Sequence, residues 1–209
     1  MVPYAQIVKA HPIFARFYDR LSRSAWPIEV EHRTELVSGL RGRVLEIGAG
    51  TGLNFQLYPK EAGVVALEPE PNMIRKARER TGEAGSPVRL VRGSAEVLPF
   101  TDASFDAVVT SLVLCSVARP DVAISELRRV LRPEGELRIF EHVRSENPRH
   151  ARWQDWLTPL WRPMSAGCHP NRDTGAALRA AGFELEVRRV PVGPPTPARP
   201  HIVGVARLR

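Results

Sequence analysis

The sequence predicts an α/β fold, a doubly wound parallel sheet with helices on both faces. Three observations carry this. Short apolar runs alternate with helical segments from Arg43 onward, the pattern of strands that need crossover helices. The first run, Val44-Leu45-Glu46-Ile47, breaks directly into glycines at alternate positions, Gly48, Gly50 and Gly52. Open α/β sheets place ligands there, beyond the carboxyl end of a strand, because glycine allows a tight turn and a close backbone approach. Finally, 209 residues with 43% apolar and 25% charged content suit one well-packed domain.

Taken in order, His11 to Ser24 sets Ile13, Phe14, Phe17, Tyr18 and Leu21 at helical spacing. A second helix is predicted from about Pro27 to Val37, with Pro27 near its first turn and Gly39 beyond its end. Strand one ends in the glycine turn, and a helix is expected over Asn54 to Tyr58. Strand two is Gly63 to Leu67, ending in Glu68-Pro69. A helix from Pro71 to Arg80 and a turn at Gly85 to Pro87 lead to strand three, Val88 to Val91. Strand four is Phe105 to Leu112. The helix Asp121 to Leu131 buries Ile124, Leu127, Val130 and Leu131, and a turn at Pro133 to Gly135 opens strand five, Glu136 to Phe140. The tail changes character: an aromatic segment, Trp153 to Trp161, a helix from Asp173 to Ala181 ending at Gly182, a strand from Phe183 to Val190, a proline-rich loop and a last strand, His201 to Leu208. Two final strands able to pair as a hairpin are an unusual closure for a nucleotide-binding sheet. A single domain is expected over 1–209: N-terminal helices or a lid in 1–40, a cofactor-binding core in 41–145, and an acceptor-side segment with a C-terminal hairpin in 146–209.

The net charge of +7 comes mostly from arginines scattered among acids, so it reads as a solvated basic surface rather than a nucleic-acid footprint. No basic-aromatic strip or base-flipping signature occurs. Two cysteines, Cys115 and Cys168, imply no disulfide framework and point to a reducing, cytoplasmic setting. Neither a signal peptide nor a membrane anchor is expected.

The glycine turn is specific by what it lacks. A dinucleotide fingerprint needs its third glycine where Leu53 stands, and no Lys-Ser or Lys-Thr closes a phosphate loop. Glu46 precedes the turn, and Glu68 ends the adjacent strand, where an acid accepts ribose hydroxyls. The pairing suits a cofactor with an amine, a carboxylate and a ribose but no pyrophosphate. Ser94-Ala95-Glu96 follows strand three, where an adenine edge would reach, and Met73 either pads that ring or packs in the core.

With Glu46 to Gly52, Leu67-Glu68-Pro69, Gly93 to Phe100, Phe105 to Val109 and Leu131 to Gly135 in this order and spacing, the chain resembles class I S-adenosylmethionine-dependent methyltransferases. The resemblance implies a Rossmann-like, seven-stranded sheet with an antiparallel final strand, which accommodates the tail. It implies that Glu46, Gly48, Gly50 and Gly52 meet the methionine portion and Glu68 the ribose. Ser94, Ala95 and Glu96 would meet the adenine, and Ala49, Thr51, Asn54, Pro69, Met73, Ser111 and Leu112 complete the cofactor contacts. That family often has aspartate where Ser94 stands. Beyond the generic core, Thr110 to Val117, Glu141-His142-Val143, Trp153 to Trp161, Gly167-Cys168 with Arg172 and Arg199 to Ile202 resemble the alkyl-thiol methyltransferases first known as membrane-bound methyltransferase-like proteins of animals. Those relatives carry a hydrophobic N-terminal anchor, which is not expected here, and tend to have asparagine where His169 stands.

The expected reaction is methyl transfer from S-adenosylmethionine to a small-molecule acceptor, with S-adenosylhomocysteine as product and a thiol as the favoured acceptor. O-, N- or C-methylation of a small metabolite or quinone-like precursor is the alternative, and a non-catalytic cofactor-binding sensor is the alternative of another class. In-line displacement depends on alignment and desolvation, and a thiol need only lose a proton near pKa 8.5. Glu96 and His142 are the candidate bases; holding the adenine end and structural hydrogen bonding are their blander roles. Tyr18, Cys115, Trp153, Trp156, Trp161 and His169 are candidate acceptor contacts. For Cys115 the plain reading is a small buried hydrophobe, for the tryptophans core beneath the tail, and for Phe17 and Tyr18 packing of the first helix instead of a lid. No metal is expected, because Cys168 and His169 lack further ligands at metal spacing.

Overall fold

The computed structural model describes residues 27–209. The expected helix His11 to Ser24, with Phe17 and Tyr18, lies outside them. Seven strands form one sheet: β1 (Gly42–Ile47), β2 (Ala62–Glu68), β3 (Val88–Arg92), β4 (Phe105–Ser111), β5 (Leu131–His142), β6 (Phe183–Pro191) and β7 (Pro200–Leu208), in spatial order β3-β2-β1-β4-β5-β7-β6. The first five pair in parallel, and β7 runs antiparallel between β5 and β6. The order reverses between β1 and β4, so the switch point lies at the end of β1, where the glycine turn begins.

Among the described residues five α-helices pack on this sheet: α1 (27–37), α2 (Pro71–Arg80), α3 (Pro120–Val130), α4 (Pro148–Met164) and α5 (Thr174–Ala180). Alternate strand residues face opposite layers. Leu45, Ile47, Val108, Leu137 and Ile139 meet Ile124, Leu127 and Val130 of α3 and Leu178 of α5. On the other face Val44, Ala66, Val109 and Phe140 meet Leu36, Val37 and Leu40 from α1 and its exit, together with Ala77 of α2. By this alternation Glu46 lies on the α1 side. Helix starts are chemically marked. Glu70 accepts from the Met73 N–H at 2.7 Å with Pro71 in the first turn, and Asp173 accepts from the Ala176 N–H at 2.9 Å.

Two local expectations change. The helix expected over Asn54 to Tyr58 is a single 3₁₀ turn, Phe55–Leu57. The turn before strand five is instead an excursion within β5: pairing jumps from Phe105↔Leu131 to Ala107↔Glu136 and leaves 132–135 looped out. Pro133 cannot donate to a ladder, and a Cβ on Gly135 would stand 2.9 Å from the Asp106 carbonyl, so both residues suit the bulge. Among the described residues no helix is long and apolar enough to cross a membrane.

Candidate functional site

The switch-point pocket is lined by Glu46, Gly48, Ala49, Gly50, Thr51, Leu53 and Asn54 from the β1 exit, Ser111 from β4 and Arg33 from α1. Gly48, Gly50 and Gly52 all take positive φ. At Gly48 the need is twofold: φ is +62°, and a Cβ would stand 2.6 Å from Val113 Cγ2. Leu112 also takes a positive φ, +61°, despite its side chain, a strained backbone at the pocket's edge.

Glu46 is 2% exposed. Its Oε1 accepts from Asn54 Nδ2 at 2.8 Å, and the buried Tyr58 hydroxyl neighbours the same carboxylate. Burial raises its pKa to about 7 against the opposing influence of Asn54, the Tyr58 hydroxyl and Arg33. Arg33 Nη1 donates to Asn54 Oδ1 and Ser111 Oγ, each at 2.9 Å, and Nη2 to Glu29 at 2.7 Å. A guanidinium and a buried carboxylate thus share one pocket. Arg33 and Leu53 were missed in the sequence. Arg33 sits three and four residues before Leu36 and Val37, so an arginine on the apolar stripe of α1 was the available signal.

Glu68, 6% exposed, accepts the Gly50 N–H at 2.8 Å and the Glu70 N–H at 2.9 Å, tying the end of β2 to the glycine turn. Burial raises its pKa to about 7 as well. Pro69 follows it, and Met73 is buried in the first turn of α2. Ser94 to Val97 form a tight turn after β3. Ser94 Oγ donates to Glu96 Oε2, and Glu96 Oε1 accepts the N–H groups of Ala118 at 3.1 Å and Arg119 at 3.5 Å, just before α3. If Glu68 takes a ribose, as its place at the end of β2 leads one to expect, Glu68→Ala weakens cofactor binding by roughly 1–3 kcal/mol, read by calorimetry; unchanged affinity would remove Glu68 from the site.

Beyond β4 and β5 lies a second cluster. Glu141, fully buried, accepts the backbone N–H groups of Val113 and Leu114 at 3.0 Å and Cys115 at 3.3 Å, and so shapes the loop that carries Cys115. Arg172 Nη1 donates to the carbonyls of Leu114 and Val117 at 2.8 and 2.7 Å, and the His169 N–H to that of Cys115 at 2.8 Å. These bonds clamp the loop after α4 onto the loop after β4. The result sets His142 Nδ1 at 3.4 Å from both Cys115 Sγ and Cys168 Sγ. The bonded thiol of Cys115, then His142, bring the Cys168 pKa down to about 5. Donation to Cys168 holds Cys115 up, and against its burial Cys168 raises His142. Behind them His201 stacks on Phe140 at 5.0 Å, its pKa lowered by burial to about 3.

Other candidates separate. The His169 ring is not in the sulfur cluster; its Nδ1 is buried without a partner. Trp153 and Trp156 are 37% and 72% exposed, so they are not core beneath the tail, and they share an outward face of α4 with Leu160 and Met164. Trp161 is half-buried and neighbours the Cys168 sulfur, whose pKa its side chain helps to lower. The expectation that no ligand set exists near Cys168 also changes, since three distant segments bring Cys115, His142 and Cys168 donors within 4.8 Å of one another.

With this geometry in view, residues 45–139 match the protein family described as Methyltransferase domain. The human thiol S-methyltransferase TMT1B is 37% identical over 180 residues, covering 81% of this chain and 73% of that protein. The ubiquinone/menaquinone biosynthesis C-methyltransferase UbiE of Azotobacter vinelandii is 32% identical, covering 71% and 69%. Among solved structures, a SAM-dependent methyltransferase from Aquifex aeolicus superposes with a TM-score of 0.64 at 21% identity, covering 95% of this chain and 98% of that one.

Proposed function

Since the chain belongs to the methyltransferase-domain family, we propose that it methylates a small apolar thiol on sulfur. It is an S-adenosylmethionine-dependent methyltransferase of small molecules. The family implies that cofactor, and the pocket residues fit it. The buried Glu46 carboxylate would take its ammonium and Arg33 its carboxylate. Glu68 would hold the ribose with lone pairs that its two backbone bonds leave free. Ser94, Ala95, Glu96 and Met73 would border the adenine. When bound, the cofactor supplies an electrophilic methyl group on a sulfonium.

The observation that carries the acceptor is the chemistry of the adjoining corner: two sulfurs around His142, with the nearby Glu141 and Glu96 carboxylates already held by main-chain N–H groups. A hydroxyl acceptor would need a free, strong base. A thiol, with a pKa of about 8.5, ionises in a modest field, and a polarizable, largely buried surround suits its sulfur. The cluster around His142 stabilises that thiolate, and Glu96 serves as a positioning acid. The human thiol methyltransferase relative supports the same reading.

The test is labelled S-adenosylmethionine with thiols, phenols, quinols and amines. Alkyl thiols are expected to be methylated. Labelling confined to oxygen, nitrogen or carbon acceptors would remove the thiol, and calorimetric cofactor binding without turnover on any class would favour a sensor. Glu96→Gln is expected to leave kcat within about twofold and cost about 1 kcal/mol of stability, as for a lost helix-start bond. A fall in kcat of about 10²-fold or more, with a changed pH profile, would restore Glu96 as the base.

A further inference from the structure

We infer that Cys115, His142 and Cys168 form a binding site for a zinc-type d¹⁰ divalent cation, its fourth position open to the sulfur of the acceptor. Zinc bonds of about 2.3 Å to sulfur and 2.0–2.1 Å to nitrogen, at a tetrahedral angle, separate the two donors by about 3.5 Å. Both sulfurs stand 3.4 Å from one ring nitrogen, His142 Nδ1, close to that separation, and all three donor atoms lie within 4.8 Å of one another. Two thiolates and an imidazole form a soft set that selects zinc over magnesium or calcium. Three protein ligands rather than four are the pattern of a site that keeps a position for substrate.

The supporting shell is already built. Glu141 fixes the Cys115 loop through three N–H groups, and Arg172 locks the two cysteine loops together. Such outer bonds hold ligands in orientation before a metal arrives. The location is also apt. Ser111 lines the cofactor pocket and pairs with Phe140, two residues before His142, which sets the Cα atoms of Ser111 and His142 about 8 Å apart by strand geometry.

The catalytic consequence, unlike the metal site, rests on the thiol reading above. Coordination deprotonates a thiol outright, with its proton released to solvent. The thiolate lone pair forms the new S–CH₃ bond as the methyl–sulfonium bond breaks. Both products are then neutral thioethers, which are weak ligands and free to leave.

Untagged protein purified under reducing conditions with zinc present, then dialysed, is expected to hold about one zinc per chain by elemental analysis. Cys115→Ser, Cys168→Ser and His142→Ala should each lose most of it while keeping the wild-type circular dichroism spectrum. Cobalt loading of the wild type should add thiolate-to-metal absorption that either serine variant abolishes. Wild type that retains no zinc, or folded variants that retain all of it, would overturn the site, and thiols equally reactive with and without bound zinc would overturn its catalytic role. Zinc bound with no thiol methylated would defeat the acceptor reading alone, whereas thiols methylated at full rate by a zinc-free protein would defeat the metal's catalytic role alone.

Discussion

Glu46→Gln is expected to weaken S-adenosylmethionine binding by about two to three orders of magnitude, the loss of about 3–4 kcal/mol when one partner of a buried ion pair is removed. In the free protein Glu46 titrates near pH 7 because burial opposes its charge more than the Asn54 and Tyr58 side chains support it. A ligand ammonium there favours the ionised form. Affinity should therefore rise with pH through about 7, then fall above about 8 as an α-amino group loses its proton. The glutamine variant should lose the lower limb of that bell. Stability moves the other way. A folded pKa raised from 4.5 to about 7 gives a contribution fully present below 4.5 and lost as pH rises through 7. The empty protein should thus be more stable at pH 5 than at pH 8, with Glu68 acting in the same sense, and Glu46→Gln should narrow that difference. Calorimetric titration and urea unfolding across this range measure both; a variant with the wild-type pH profile for binding would separate Glu46 from the ammonium.

Gly204→Ala is expected to be the most damaging single methyl addition in the sheet. Gly204 lies in the middle of β7, with Ile139 of β5 on one side and Val187 of β6 on the other. Its φ is +149°, and a Cβ would overlap the Glu186 carbonyl oxygen and stand 2.9 Å from Val187 Cα. Both obstacles are backbone of the paired strand, so no rotamer change relieves them. A loss of about 3–5 kcal/mol follows, near the upper end for point substitutions. Thermal unfolding should fall by about 6–20 °C for a domain of this size. Gly39→Ala is the control: its φ is also positive, at +70°, but a Cβ there meets nothing within 4 Å, so only the milder backbone strain is added.

Much of this architecture is legible along the chain because it rests on local signals. Pro71 to Arg80 carries a proline at its start and forms the helix expected, and the apolar runs that end in Glu46–Gly52 and Glu68 become β1 and β2, side by side. The tail is readable as two strands, and resemblance to a known family, not periodicity, supplies the antiparallel final strand; its insertion between β5 and β6 is seen only in the structure. Strand five was drawn too short because Pro133 and Gly135 signal a turn equally well when they bulge out of a continuing ladder. The α4 tryptophans show the limit of periodicity: helical spacing puts Trp153 and Trp156 on one face but does not say which way that face turns.

The cofactor pocket was readable for a physical reason. Strand, glycine turn and acid are contiguous in Glu46–Gly52, and only one short crossover separates them from Glu68, so backbone geometry alone brings them together. The acceptor corner has no such contiguity. Cys115, His142 and Cys168 follow a loop, end a strand and sit beyond a helix, and Cys168 read beside its neighbour His169 pointed to the wrong histidine. Packing of β4 on β5, the buried Glu141 carboxylate and the Arg172 clamp select His142 instead. Arg33 likewise reaches the pocket through the docking of α1 on the sheet face that carries Glu46. Residues adjacent in sequence thus identify the methyl donor's site, while long-range burial and hydrogen bonding assemble the groups that meet the acceptor.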